Sequence, residues 1–350
     1  MDAVAAGARL GLGVGMVQIV ELDPRDEVGL RAFHHTEQAA IRQDRPDAVI
    51  RTWPAFRAIA QAPSPYYRHT FLAAVDDGRT VGVADLGESV GDNEHLADLE
   101  IDVLADHRRR GVGRALWEEA DRRRRADGRT SICGEVCLAA GVTPDASAAY
   151  AFADAMGFST VHREDQLVLR LPVESGYLAA VSAAAEGRAA SYEIVTWRNR
   201  CPDEYAAAFC EMKTTMSSDV PVGDIDYQPI VYDEARLRAQ EERAARSFDQ
   251  LIAAARQPGT GRLVGYSQLY LPHGEDYVIQ DDTLVMPDHR GHRLGTALKL
   301  TTLEILLRDH PERSRIHTWT DPENLAMYRT NTALGFRVVE RMHEMQRRDA

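Results

Sequence analysis

The sequence predicts an α/β (α+β) chain folded as two similar domains in tandem, and three observations carry that expectation. Strand-like and helix-like hydrophobic patterns alternate along its 350 residues, about two ordinary domains by length. The stretch VLADHRRRG at 103–111 recurs as VMPDHRGHR at 285–293, and Tyr150 with Gly157-Phe158 recurs as Tyr328 with Gly335-Phe336. These matches run at offsets of 182 (Val103 to Val285) and 178 (Tyr150 to Tyr328), a difference of only a loop's worth, which argues for an internal duplication. Between the copies, 173–190 is rich in Ala, Ser and Gly and reads as a linker, helical in part. The expected division is a leader over 1–17, a first domain over 18–172, the linker, and a second domain over 191–350.

The elements follow in order. VQIVEL reads as a strand and 26–45 as a helix. FLAAVDDGRTVGVADLGE is a hairpin pattern with Asp77-Gly78 at its turn. ADLEIDVLA is a strand, VGRALWEEADRRRRADG a helix, SICGEVCLA a strand, AAYAFADAMGF a short helix and HREDQLVLRLP a closing strand. The second half repeats this: YEIVTW, a helix from Asp203 to about Thr215, GRLVGYSQLYL, VIQDDTLVM, a helix over GTALKLTTLEILLRDH, RIHTWT, a helix over NLAMYRTNTALGF and the strand RVVERMHEMQR. Leu294, Leu298, Thr301 and Ile305 mark the expected buried stripe of that long helix. The first fifteen residues are small and apolar but open with Asp2, unlike the basic start of a signal peptide, and read as a disordered leader.

The bulk composition excludes some classes. Charged residues make up 27% and hydrophobic ones 44%, an ordinary globular balance, with no apolar run of the ~20 residues a membrane span needs. A net charge of −13 argues against a nucleic-acid surface and suits a cationic partner such as an amine. Cys133, Cys137, Cys201 and Cys210 show no metal-ligand spacing and read as thiols in a reducing cytoplasm. The expected protein is therefore cytoplasmic, metal-free and off the membrane, a monomer or homodimer.

Two loops carry chemistry. Arg108, Arg109, Arg110, Gly111, Val112, Gly113, Arg114 and Ala115 lie where a strand ends and a helix begins. That context aims backbone N–H groups and the positive end of the helix dipole at one spot, glycine permits close approach, and arginines supply forked donors. The reading is an anion site for a phosphorylated cofactor. The Arg122–Arg125 run further on reads as a solvated helix face.

At these residues the sequence resembles the GCN5-related N-acetyltransferases, in which an R-x-x-G-x-G/A loop after a strand holds acetyl-coenzyme A. Arg108, Gly111 and Gly113 fit in full. In the second half, Arg290, Gly291, His292, Arg293, Leu294, Gly295 and Thr296 fit at Arg290 and Gly295 and depart at Arg293. A negative φ at Arg293 is expected there, with Gly291 supplying the flexibility. The family's second signature, an Asn and a Tyr on a helix ending in Gly-Phe, is met by Asn324 and Tyr328, whereas the first half has Tyr150 but Ala146 at the Asn position. The tandem arrangement is similar to that of mycothiol synthase-like actinobacterial proteins.

The resemblance implies, for each half, a mixed, mostly antiparallel sheet flanked by helices, with a parallel strand pair that splays apart around the cofactor. Backbone groups near Val103 and Val285 would meet the pantetheine arm. An amine of a small molecule or peptide would attack directly, and Tyr328, with Tyr150 as the first-half counterpart, would protonate the departing thiolate. A strand carboxylate would take the amine's proton, from Asp281 or Asp282 in the second half (Asp282 is preferred) or Glu100 or Asp102 in the first, alternation admitting one of each pair. The acidic segment 217–226 either lines an acceptor cleft or caps turns. Since the second half keeps Asn324 and Tyr328, it is expected to be the catalyst, the first binding coenzyme A or serving as scaffold. The rival readings are a non-catalytic acetyl-coenzyme A sensor or scaffold and a transferase for longer acyl groups.

Overall fold

The computed structural model describes residues 17–62 and 64–349, so the expected leader lies, Val17 apart, outside the described residues. In chain order the elements are β1 (Gln18–Glu21), α1 (Glu27–Asp44), α2 (Trp53–Gln61), β2 (Tyr67–Asp76), β3 (Arg79–Ser89), β4 (Leu96–Val103), α3 (Val112–Ala126), β5 (Ser131–Ala139), α4 (Ala148–Ala155) and β6 (Ser159–Arg170). There follow α5 (Ser175–Ala189), β7 (Glu193–Arg198), α6 (Asp203–Asp219), α7 (Glu234–Ala244), β8 (Phe248–Arg256), β9 (Leu263–Pro272), β10 (Tyr277–Val285), α8 (Leu294–Asp309), β11 (Arg315–Thr320), α9 (Leu325–Ala333) and β12 (Arg337–Arg348).

Local chemistry sets these boundaries. The Asp26 carboxylate caps α1 by accepting from Gly29 N, Thr52 caps α2 ahead of Pro54, and Ser147 and Asn324 cap α4 and α9. The Asp77-Gly78 turn closes β2–β3 with positive φ at both residues, as a two-residue hairpin of the right twist requires. Helices α2 and α7 have no counterpart in the sequence reading, and the stretch read as a linker folds as α5.

The chain divides into two units. Unit 1 comprises 1–162, 224–228 and 342–350, and unit 2 comprises 163–223 and 229–341. The sequence boundary at 172 therefore differs from the structural one. Unit 1 takes its closing strand from the far end of the chain, the part of β12 after Arg341, and unit 2 takes the later part of β6. Both closing segments alternate apolar and polar residues, so the pattern gives no sign of which sheet receives which strand.

Unit 1 orders its strands β1-β2-β3-β4-β5 followed by β12, with β4–β5 the parallel pair. Leu72, Leu86, Leu116, Trp117 and Ile132 fill the core on the α3–α4 face, and Leu30, Phe33, Phe56 and Phe71 fill it under α1 and α2. Unit 2 orders its strands β6-β11-β10-β9-β8-β7, with β10–β11 parallel. Along α8, Leu294, Leu298, Leu303 and Leu306 are buried, with Lys299 among them, while Thr301 and Ile305 are only partly covered.

Candidate functional site

In unit 1 the parallel pair β4–β5 is joined only at Leu96↔Ser131, Ala97↔Ile132 and Asp98↔Cys133, after which both strands run on apart. Gly134 stands at the fork, where a Cβ would lie 2.9 Å from the Leu99 carbonyl oxygen. A cleft of about 1010 Å³ opens beyond it, lined by Val103, Val136 and Phe152 on its apolar walls, by Gly111 to Arg114 at one end, and by Asp102 and Glu135 on its floor.

The loop at the mouth is shaped by two left-handed residues, Arg109 (φ +61°) and Gly111 (φ +87°), the latter capping α3. A Cβ at Gly111 would meet nothing within 4 Å, so glycine serves its φ, not space. The N–H groups of Val112, Gly113 and Arg114 open the helix, whereas that of Ala115 is already bonded to Gly111 O (2.9 Å) and is not available to an anion. Arg108 lines the cleft and also anchors the loop. Its guanidinium donates to Val103 O (3.0 Å), Asp44 (2.6 Å) and Ala40 O (3.4 Å), stapling the loop to β4 and α1. Arg109, Arg110 and Arg114 are exposed and make no ion pair among the described residues.

The second loop, in unit 2, follows the same path with the residues exchanged. Gly291 (φ +84°) takes the place of Arg109, and Arg293 (φ +57°) takes the place of Gly111 as the helix cap. The expected negative φ at Arg293 is therefore corrected. Each loop places one glycine and one arginine at its two left-handed positions, and the non-glycine costs about 1 kcal/mol. Arg290 repeats the Arg108 staple, donating to Val285 O (3.0 Å) and Asp219. Leu294 is buried, and the exposed side chains of His292 and Arg293 give this loop less free positive charge than the first.

The two tyrosines do not lie alike. Tyr150 shares a hydrogen bond with Thr160 (2.8 Å) and packs edge-on against His343. Tyr328 donates to Asp165 (3.2 Å), which also holds Arg341 (2.9 Å). Burial and the Asp165 charge both push the Tyr328 hydroxyl above its ordinary range, which makes it a weaker acid. Asn324 acts as the N-cap of α9, its Oδ1 accepting from Met327 N at 3.2 Å. One turn past Tyr328, the fully buried Asn331 accepts from Lys299 (2.8 Å) and donates to Thr320 (2.8 Å), a polar core that the sequence reading missed.

The carboxylates separate the units further. In unit 2, β10 bulges between Gln280 and Thr283. Asp282 accepts from Lys213 (2.7 Å) and Tyr266 (2.6 Å), and these contacts outweigh burial and hold it below the ordinary carboxylate range. Asp282 is thus a structural ion pair, a poor proton acceptor. Asp281 beside it is pushed up to about 6 by its crowded surroundings and the Asp282 charge.

In unit 1, Glu100 and Asp102 stand two apart and share one side of β4, so alternation does not choose between them. Asp102, half-buried on the cleft floor, is pushed up to about 7 by burial and by the charges of Glu37 and Glu100. Glu135 on β5, unnoticed in the sequence, is wetted by the cleft yet ringed by protein, and burial with the Glu100 charge pushes it up to about 7. Arg51 bonds Glu37, Asp85 (2.9 Å) and Glu100 (3.3 Å) at the back of this group.

Other expected features fall elsewhere. Asp219 serves Arg290, and 224–228 belongs to unit 1, where Asp226 O accepts from His95 (2.8 Å). That acidic segment therefore supplies no shared row of carboxylates. Of the Arg122–Arg125 run, Arg124 is fully buried and bonded to Asp121, Asp349 and Arg129 O, not solvated. None of the four cysteines forms a disulfide among the described residues. Among the described residues there is no metal-binding cluster and no helix long and apolar enough to cross a membrane.

Comparison with known proteins agrees with this geometry. Residues 67–160 match the acetyltransferase (GNAT) domain family and residues 221–336 the acetyltransferase (GNAT) family. Among solved structures, a tandem GNAT protein from the clavulanic acid biosynthesis pathway is 26% identical, with 95% of this chain and 98% of that one covered at a TM-score of 0.78. A GCN5-related N-acetyltransferase from Sphaerobacter thermophilus (13% identity, 94% and 95% covered, TM-score 0.64) and a putative acetyltransferase from Pyrococcus horikoshii (12%, 99% and 94%, 0.56) share the fold. No curated protein matches in sequence.

Proposed function

Because the chain belongs to the GCN5-related N-acetyltransferase family, with two such domains in tandem, we propose that it moves an acetyl group from acetyl-coenzyme A to an amine, and that unit 1 is the seat of the reaction. The observation that carries this reading is the cleft between splayed β4 and β5, with a basic helix-start loop at its mouth and two carboxyl groups on its floor that their surroundings raise to about 7.

The residues of unit 1 suit the cofactor. The first N–H groups of α3 and the side chains of Arg109, Arg110 and Arg114 would hold the pyrophosphate, and the apolar walls would take the pantetheine arm. When bound, acetyl-coenzyme A supplies an activated acetyl thioester. Asp102 or Glu135 takes a proton from the substrate ammonium and passes it to solvent, leaving a neutral amine in the fork. Both carboxylates sit near neutrality, where a base is half deprotonated and still strong enough to accept. The fork orients the amine on one line with the acyl group, and proximity supplies much of the rate.

Unit 2 supports a second role, as a cofactor-holding or scaffold copy. Its strand carboxylate Asp282 is tied to Lys213 and its Tyr328 to Asp165. The expectation of the second half as catalyst rests on Asn324 and Tyr328; the Tyr328 hydroxyl is bonded to Asp165, while Asn324 caps α9 through Oδ1 alone and keeps its amide donors unused among the described residues.

The test is acetyl transfer to a panel of amines, followed by thiol release, with Asp102→Asn and Glu135→Gln compared with the unaltered chain. Loss of transfer with coenzyme A binding retained is the expected result. Binding at both loops with no transfer to any amine would support the sensor reading instead.

A further inference from the structure

Lys213 is a buried cation that the proposed reaction does not use. It lies on the face of α6 that carries Phe209, Cys210 and Met212 into the core, and it is only 6% exposed. Its Nζ donates to Asp282 Oδ2 (2.7 Å) and to Gln268 Oε1 (3.5 Å), and it stands over the rings of Tyr266 (5.5 Å) and Tyr232 (5.8 Å). Tyr266 donates to the same Asp282 oxygen (2.6 Å). Burial opposes the charge, but Tyr266, Asp282 and Asp281 outweigh it and hold this ammonium well above the ordinary lysine range. A carboxylate, an amide oxygen and two aromatic faces are the groups that recognise an alkylammonium ion.

The position of this cage in unit 2 is a separate observation. β10 leaves β11 after Ile279↔His317, and Asp282 lies just past that fork, as Glu100 and Asp102 lie past the Asp98↔Cys133 pair in unit 1. Asp44 holds Arg108 and Asp219 holds Arg290, which aligns α1 with α6 at an offset of 175 (Asp44 to Asp219) and puts Gln38 where unit 2 has Lys213. Gln38 is neutral, and its amide lies by His34 (3.3 Å) and Arg51 O (3.5 Å). One copy thus builds the same helix turn without a cation, so the fold itself does not demand one.

We propose that unit 2 contains a binding site for a primary alkylammonium ion, built from Asp282, Gln268, Tyr266 and Tyr232, and that the chain fills this site with its own Lys213. The site rests on these contacts alone; that it is the place an acceptor amine would take in unit 2 rests on the acetyl-transfer reading above. The covalent tether holds the Lys213 ammonium there at an effective concentration on the order of millimolar or more, so a free amine is kept out. A charged ammonium has no lone pair to offer a thioester, so Lys213 acts as a plug and not as a nucleophile. Unit 2 is thereby shut to amines without any change in its helix-start loop.

The experiment removes the plug and offers its missing atoms back. Lys213→Ala deletes three carbons and the ammonium, the atoms of n-propylammonium. Thermal unfolding of the full chain is followed with n-propylammonium chloride, and with n-propanol at matched sodium chloride as the neutral control. Beyond any response of the unaltered chain, propylammonium should raise the Tm of Lys213→Ala by about 4 °C at ten times its Kd, and propanol by less than about 1 °C. Lys213→Met, which keeps the stem in place, should respond no more than the unaltered chain, and Lys213→Ala with Asp282→Asn should lose the response. Where Lys213→Ala does not fold unaided, recovery of folded chain with propylammonium and not with propanol is the same readout. An equal response to the two additives, no response, or one that survives Asp282→Asn overturns the site. None of these readouts needs acetyl transfer, so a failure of the site and a failure of the transfer reading are told apart.

Discussion

Asp102 and Lys299 show how burial sets the working state of single residues. With Asp102 raised to about 7 and acting as base, kcat/KM should rise with pH through about 7 and level off above it. Asp102→Asn should lower turnover by about a hundredfold or more and flatten that limb. In unit 2, Lys299 sits among leucines and is pushed down to about 7 by burial. Between pH 7 and the ordinary lysine range the unfolded chain binds the proton that the folded one does not, so this residue makes stability rise with pH across that window. Lys299→Met should remove that share of the slope, read as Tm against pH for the two proteins. It leaves the Asn331 oxygen without its donor at about 1–3 kcal/mol. Residue roles were the least readable part of the sequence. The row Asp98, Glu100, Asp102 was visible in ADLEIDV, but Glu37, Arg51 and Asp85 come from α1, the loop before α2 and β3, and only folding gathers them.

The loops show what is decided at the scale of elements. Both run through two left-handed residues before their helix, and each supplies glycine at only one of them, Gly111 in the first and Gly291 in the second. Gly111→Ala adds a Cβ that touches nothing, so its whole effect is the φ cost, about 1 kcal/mol, measured as a drop in Tm. Arg109→Ala and Arg114→Ala should each weaken coenzyme A binding about tenfold by calorimetry, because both guanidinium groups are free to meet phosphate. The strand–loop–helix context was legible because glycine and arginine at fixed spacing have few other uses there. The division of labour among the arginines was not. Arg108 and Arg290 spend their donors on a strand end and an acidic helix residue, which only the folded path reveals.

For the whole molecule, the repeat offsets foretold two copies of one architecture, and the family match and the closing strands refine that picture. The exchange of β6 and β12 segments between units was hidden because a strand's alternation says which face is buried, not which sheet it joins. Buried Arg124 fixes the chain's end in unit 1 through Asp349 (2.8 Å), and removing one partner of so buried a pair costs about 3–5 kcal/mol. Arg124→Ala should therefore lower Tm sharply, and Arg122→Ala, at an exposed pair with Glu119, should barely move it. The copies have diverged in what they leave free. Unit 1 keeps an open fork with Asp102 and Glu135 raised, while in unit 2 Asp282 is held by Lys213 and Tyr266 and Tyr328 by Asp165, with only Asp281 raised beside them.

The most direct measurement of that division is kcat for acetyl transfer by Asp102→Asn and by Tyr328→Phe, each at saturating acetyl-coenzyme A. A unit 1 seat predicts a loss of about a hundredfold or more in the first and a change within about twofold in the second. A large loss in Tyr328→Phe with Asp102→Asn near the unaltered rate would contradict it and return the chemistry to unit 2.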